Sequence, residues 1–190
     1  MGKLAFIFPG QGAQYIGMGK DFYEEFPICR QIIEKAAEIS KLDLKKICFE
    51  ENEKISITEY TQIAMTAVEA AIFKALEEKG FYPDMTAGLS LGEYGALLVS
   101  GAMSLEDIFY TVRKRGIYMQ EAVPTGGAMA AVLGMEAEWI ENICKETQGV
   151  VSVANYNCPG QLVITGEETA VAKASEKLKE AGAKRILPLQ

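Results

Sequence analysis

The 190-residue chain contains no histidine, and this absence bears directly on the chemistry that it can perform. Histidine is the side chain whose ordinary pKa suits general-base work near neutral pH. The chain also lacks a Cys-x-x-Cys pair, because Cys29, Cys48, Cys144 and Cys158 are widely spaced. Such spacing argues against a zinc site. We therefore expect no bound metal.

Positive charge and long apolar runs are also scarce. The chain has 19 basic and 26 acidic side chains, whereas nucleic-acid-binding proteins usually carry a basic surface. The apolar run near the N-terminus ends at Pro9, too early for a signal peptide or a membrane span. Because no secretion signal is visible, we interpret the cysteines as reduced thiols. We expect a cytoplasmic protein that binds neither nucleic acid nor membrane.

Strand and helix patterns alternate along the first part of the chain. Residues 4–8 and 85–88 are apolar and strand-like, and the segments 26–39, 61–79 and 92–99 have helical patterns. This order predicts an α/β fold with a parallel sheet. Two parallel strands make a narrow sheet, so this subdomain looks incomplete.

The segment 124–127 predicts a linker, and the residues after it follow a pattern of their own. We predict strands at 128–133, 150–154, 162–165 and 184–189, helices at 137–147 and 168–181, and a turn at Asn157–Gly160. The order β-α-β-β-α-β is that of a ferredoxin-like unit. The predicted organisation is an α/β subdomain over 1–123, a linker over 124–127 and a ferredoxin-like subdomain over 128–190.

The segment Gly88-Leu-Ser90-Leu-Gly92 matches the G-x-S-x-G pattern. Because a strand precedes it and a helix follows it, Ser90 is expected on a tight, strained turn with its hydroxyl exposed above the sheet. The backbone N–H of Leu91 could then stabilise an oxyanion at the start of the helix. A serine in this place could equally be an ordinary helix N-cap.

Two further segments could contribute to such a site. The loop Pro9–Gly12 follows the first strand, where ligand sites collect in α/β sheets, and it could supply a second oxyanion donor or be a plain turn. Arg115 lies on the edge of the apolar stripe of a helix predicted at 104–122. A guanidinium near a buried face should find an anion, which could be a substrate or a structural glutamate, or the side chain could extend out to water.

These three segments occur together, and in this order, in one enzyme family. The segments Phe8–Gly12, Gly88–Tyr94 and Arg115–Gln120 resemble the pattern of the malonyl-CoA:acyl carrier protein transacylases, and Ala154–Gly166 resembles that family's small-subdomain segment. The resemblance covers the whole chain. It implies a hydrolase-like large subdomain with a parallel sheet beside the small one.

The resemblance implies a role for each site residue. Ser90 is the nucleophile that takes the malonyl group from coenzyme A, and the backbone amides of Gln11 and Leu91 form the oxyanion hole. Arg115 holds the malonyl carboxylate, a task that suits a guanidinium. The phosphopantetheine thiol of acyl carrier protein then attacks the malonyl ester, and no cofactor takes part.

The resemblance also implies contacts with the partners. Asn155 and Asn157 would line the acyl or pantetheine entrance. Acyl carrier proteins of this kind are acidic, so a local basic patch is expected to dock one. The candidate side chains are Lys114, Lys173, Lys177, Lys179 and Lys184, although those on the last helix could equally form a solvated face of mixed charge.

The sequence departs from the family pattern in two places. Leu89 stands where the family often has a histidine. The family's catalytic histidine follows the last ferredoxin-like strand, with the rest of the large subdomain, and this sequence ends at Gln190 before both. Removing the triad histidine of a hydrolase costs roughly a million-fold in turnover. We therefore expect the 190-residue chain alone to be nearly inactive.

Two other functions stay open at this point. An α/β serine ester hydrolase would use the same turn but would prefer an apolar acyl pocket to Arg115. Alternatively, the chain could bind acyl carrier protein without catalysis. A Ser–Asp acylhydrolase is disfavoured, because no aspartate stands in an Asp-Gly loop after the small subdomain.

Overall fold

The computed structural model describes residues 2–189, which separate into two compact units, one up to Ala122 and one from Val123 onward. The first unit contains β1 (Ala5–Phe8), α1 (Lys20–Glu25), α2 (Pro27–Ser40), α3 (Leu44–Phe49), a 3-10 turn (Lys54–Ser56), α4 (Thr58–Glu78), β2 (Met85–Gly88), α5 (Gly92–Val99) and α6 (Leu105–Ala122). The second contains β3 (Gly127–Leu133), α7 (Ala137–Glu146), β4 (Val151–Cys158), β5 (Gln161–Glu167), α8 (Glu168–Glu180) and β6 (Arg185–Leu189).

Helix α4 forms the centre of the first unit. It packs against α2 and α6, and most of its side chains are buried. Many of these are small, including Ala64, Ala67 and Ala71, so neighbouring helices can approach closely. Beside this core, β1 and β2 pair in parallel, with Phe8 opposite Gly88. This pairing confirms the parallel arrangement predicted for the two strands.

Capping residues fix the ends of two helices in this unit. Ser104 Oγ accepts a hydrogen bond from the Asp107 backbone N–H at 3.1 Å and donates to the Asp107 carboxylate at 2.7 Å, which confirms the predicted N-cap of α6. The Asp43 side chain accepts from the Lys46 backbone N–H at 3.0 Å and begins α3. The sequence patterns did not predict α3 or α1.

The second unit is a four-stranded antiparallel sheet in the order β4-β5-β3-β6. Helices α7 and α8 pack on it around fully buried Ile140, Ile164 and Leu178. The turn predicted at Asn157–Gly160 is wrong in its extent, because β4 continues to Cys158. Two register shifts in its pairing with β5 accommodate the extra residues.

The cysteines differ sharply in exposure. Cys29, Cys48 and Cys144 are buried free thiols, and Cys158 is an exposed one. Burial away from water raises the pKa of Cys29 to about 11 and that of Cys48 to about 12.

Within residues 2–189, no group of three or more metal-binding side chains could hold an ion. Every helix in this range is too short or too polar to cross a membrane.

Candidate active site

Ser90 occupies a strained turn between β2 and α5. Its φ angle of 52° lies in the left-handed region, which costs a residue with a side chain about 1–2 kcal/mol. Backbone hydrogen bonds hold the turn on both sides, from Leu89 N–H to Phe8 at 3.1 Å and from Gly92 N–H to Leu89 at 2.9 Å. A Cβ atom at Gly88 would collide with the Gly92 backbone. The strained turn predicted from the sequence is therefore present.

The glycine loop after β1 lies directly against this turn. A Cβ atom at Gly10 would come within 2.8 Å of the Leu89 carbonyl oxygen, so only glycine permits the approach. The Gln14 side chain accepts from the Gly12 N–H at 2.7 Å and closes the loop. Among residues 2–189, no backbone or side-chain acceptor takes the N–H of Gln11 or of Leu91. Gln11 is exposed, whereas Leu91 is fully buried.

The Arg115 side chain reaches Ser90 from helix α6. Its Nη2 donates to Ser90 Oγ at 3.3 Å, its Nη1 donates to Gln62 Oε1, and its guanidinium carbon lies 5.7 Å from the centre of the Tyr94 ring. No carboxylate among residues 2–189 forms an ion pair with it. The structural-glutamate alternative considered for Arg115 is therefore wrong within this part of the chain.

The neighbouring Arg113 makes a useful contrast. Its Nη1 donates to the Glu59 carboxylate at 3.1 Å and to the Glu59 backbone carbonyl at 2.9 Å. One arginine of α6 is thus paired within the protein, while the one beside Ser90 keeps its charge available for an anion from outside.

Gln62 joins the site although no sequence pattern indicated it. Its side chain is 1% exposed, and its Nε2 donates to Gln11 Oε1 at 3.0 Å. Gln11 Nε2 donates in turn to Thr58 Oγ1 at 3.0 Å. The only available signal was a glutamine directly ahead of the apolar residues Ile63, Ala64 and Met65 in α4.

The remaining predicted residues lie in the second unit, apart from Lys114 on α6. Asn155 is half-buried and Asn157 is exposed, both on the irregular part of β4, and their role at the entrance stays a prediction. On α8, Lys173 and Lys177 share a small depression with acidic side chains, and Lys177 Nζ donates to the Glu146 carbonyl at 3.1 Å. This surface mixes both signs of charge.

Comparison with known proteins decides the family. The family model described as the acyl transferase domain matches residues 5–187 of this chain. The chain belongs to the acyl transferase domain family. A malonyl CoA-acyl carrier protein transacylase of Bacillus subtilis is 48% identical to it over the whole chain and over 62% of its own length.

Solved structures of similar proteins agree with this assignment. The Streptococcus pneumoniae MCAT is 52% identical, with a TM-score of 0.89, covering 97% of this chain and 62% of that one. A malonyl-transacylase in complex with its type II PKS acyl-carrier protein is 42% identical, with a TM-score of 0.92, covering 99% of this chain and 62% of that one. The resemblance to the transacylases is confirmed, and the chain spans 62% of the length of these relatives.

Proposed function

We propose that this chain forms the nucleophile and carboxylate-binding part of an enzyme that transfers malonyl groups from coenzyme A to acyl carrier protein in fatty acid synthesis. The observation that carries this proposal is the position of Arg115. Its guanidinium touches Ser90 Oγ and has no carboxylate partner among residues 2–189. An acyl group on Ser90 that ends in a carboxylate would find this cation directly beside it.

In the first half of the reaction, Ser90 Oγ attacks the thioester carbonyl of malonyl-CoA. The free N–H groups of Gln11 and Leu91 stabilise the oxyanion, the carbon–sulfur bond breaks, and the coenzyme A thiol leaves with a proton. The malonyl group is then an ester of Ser90. Arg115 binds its free carboxylate, an interaction that a neutral acyl group could not make.

In the second half, the phosphopantetheine thiol of acyl carrier protein attacks this ester, the bond to Ser90 Oγ breaks, and the serine hydroxyl recovers a proton. No cofactor is required. The partner assignment is supported by the related malonyl-transacylase that was solved with an acyl-carrier protein. We propose that Asn155 and Asn157 line the pantetheine entrance, and that local lysines contact the carrier.

The 190-residue chain has no histidine to accept the Ser90 proton. We propose that the chain alone is acylated slowly, with only the oxyanion donors and binding left to accelerate the reaction, by about a thousand-fold over water. We further propose a cytoplasmic protein whose first unit is a hydrolase-like subdomain and whose second unit is a ferredoxin-like one.

Mass spectrometry after incubation with malonyl-CoA tests the proposal. We expect a malonyl adduct on Ser90 that accumulates slowly, is absent from S90A and forms far less in R115M. Turnover with acyl carrier protein at the rate of a complete transacylase would contradict the slow reaction and would require a base other than histidine.

Two further assays separate the alternatives. Faster hydrolysis of a neutral ester than reaction with malonyl-CoA would favour the ester hydrolase. Capture of acyl carrier protein without any adduct on Ser90 would favour a carrier-binding chain that does not catalyse transfer, an alternative to which the missing histidine lends weight.

A further inference from the structure

The buried amide of Gln62 has every hydrogen-bonding atom engaged. Its oxygen accepts from Arg115 Nη1, and its nitrogen donates to Gln11 Oε1 at 3.0 Å and to Met119 Sδ at 3.7 Å. A buried amide with complete partners has one favourable orientation, because rotating it by half a turn would face its NH₂ group towards the guanidinium. Gln62 therefore holds its oxygen against Arg115.

The hydrogen bonds run in one direction through four residues. Arg115 donates to Gln62, Gln62 donates to Gln11, and Gln11 donates to Thr58 Oγ1 at 3.0 Å. The donor at the start is a cation, which strengthens the first bond and polarises those that follow. This series of hydrogen bonds links Arg115, which lies beside Ser90, to the glycine loop that carries the Gln11 backbone amide.

A neutral acceptor suits this position better than a carboxylate. Gln62 engages Nη1 and leaves the rest of the guanidinium, including Nη2 at Ser90, for another anion. A glutamate here would form an ion pair with Arg115 and cancel the charge that a substrate carboxylate needs. Without an acceptor at position 62, Arg115 Nη1 would have no fixed partner, and the guanidinium would lose its orientation.

We infer that Gln62 is a positioning residue that fixes Arg115 and the Gln11 loop together, so that recognition of the substrate carboxylate depends on this buried amide. The inference rests on the proposed function. It assigns to Gln62 the discrimination between acyl groups that end in a carboxylate and neutral ones, although Gln62 itself does not contact Ser90.

Calorimetric titration of the 190-residue chain with malonyl-CoA and with acetyl-CoA tests this role. The quantity of interest is the ratio of the two dissociation constants. We expect the parent chain to prefer malonyl-CoA and R115M to lose the preference. Q62M, which keeps the volume and removes the amide, should reduce the ratio about tenfold, the worth of a hydrogen bond to a charged group. Q62E should reduce it at least as much.

The matched control is T61V, since Thr61 is equally buried on α4 and its hydroxyl donates to the Ile55 carbonyl at 2.6 Å, outside the chain of bonds. T61V should lower stability and leave the ratio unchanged. Should Q62M fail to fold, T58V is expected to reduce the ratio about threefold, because the half-buried Thr58 accepts the last hydrogen bond of this series.

The outcomes distinguish the two proposals. If the parent chain shows no preference for malonyl-CoA, the proposed function is overturned. If the parent and R115M behave as expected while Q62M keeps the parent ratio, or while T61V lowers it as much as Q62M does, only the role of Gln62 is overturned.

Discussion

Ser90 adopts a backbone conformation that glycine would adopt with less strain. Its φ of 52° places the hydroxyl beside Arg115 and the free Leu91 amide, and a residue with a side chain is needed there to carry that hydroxyl. The strain is thus a cost of placing the Ser90 hydroxyl beside Arg115, where we propose that the acyl group binds.

We predict that S90G stabilises the protein while it removes the proposed nucleophile. Relief of left-handed strain should exceed the greater flexibility of glycine in the unfolded chain, for a net gain of about 0.5–1 kcal/mol in the free energy of unfolding. Urea denaturation followed by circular dichroism measures it. The control S100G, at a φ of −73°, should instead be less stable than the parent. A loss of stability in S90G would contradict the strain argument.

Glu69 on α4 is the most perturbed carboxyl group near the site. Both of its oxygens are shielded from water and lack a hydrogen-bond partner among residues 2–189, beside a largely apolar cavity of about 400 Å³. Burial raises its pKa from an ordinary 4.5 to about 8, so the folded protein keeps this group protonated at neutral pH.

We predict that this carboxyl makes the protein less stable as pH rises from 4.5 to 8. In that interval the unfolded chain releases the proton and the folded chain retains it, so the free energy of unfolding falls by up to about 1.4 kcal/mol per pH unit. Above the folded pKa this contribution is constant. This pH dependence should disappear in E69Q, and the gain in stability of E69Q over the parent should be largest at pH 8.

Denaturant titrations at several pH values provide the measurement. E77Q is the matched control, because Glu77 lies on the same helix in an ion pair with Lys74 at 2.7 Å. Equal pH dependence in E69Q and the parent would show that the Glu69 carboxyl is not buried and neutral.

At the scale of single elements, helix α6 matters because it carries Arg115. Its first turn is fixed by Ser104, whose hydroxyl both accepts from and donates to Asp107. We predict that S104A lowers the free energy of unfolding by about 1 kcal/mol, the usual worth of such a cap. The exposed Ser152 on β4 provides a control, since S152A should change stability by less than about 0.5 kcal/mol. Thermal denaturation compares the two.

Long helices could be predicted from their pattern of apolar residues, and short helices could not. Helices α2, α4, α5 and α6 lie within a few residues of their predicted bounds. An apolar face repeats along α2 and α6, whereas α4 was recognisable as a long, largely apolar stretch and α5 by its position directly after the serine turn. Helices α1 and α3 have six residues each, too few for a period, and α3 depends on the Asp43 cap. The irregular end of β4 needs its partner β5, which no local pattern reveals.

The residues of the candidate site also divide into those that the sequence predicts and those that it does not. The turn at Ser90 follows from its motif, and the half-buried cation at Arg115 follows from helical spacing. Gln62 could not be found that way, because its importance comes from partners 51 and 53 positions away in sequence. A polar residue in a buried helix signals only that some partner must exist.

At the scale of the whole molecule, each unit has an apolar core of its own. We predict that residues 123–190 fold when produced alone and that L178A in this segment unfolds it. Leu178 is fully buried, its truncation typically costs 2–5 kcal/mol, and a domain of this size has little stability to spare.

Circular dichroism and thermal melting of the segment test this prediction. V150A is the matched control, because Val150 is 66% exposed and its truncation should leave the melting temperature almost unchanged. If the segment with the parent sequence is already unstructured, the second core does not suffice for folding.

The distribution of thiols gives the protein built-in sites for chemical labelling. Cys158 at the end of β4 is exposed, whereas Cys29 and Cys48 are enclosed in the first unit and Cys144 in the second. A maleimide fluorophore added to the native protein should therefore attach at one position, next to the β4–β5 turn. The much slower alkylation of Cys29 and Cys48 then measures how often the first unit opens, and that of Cys144 does the same for the second, without any introduced reporter.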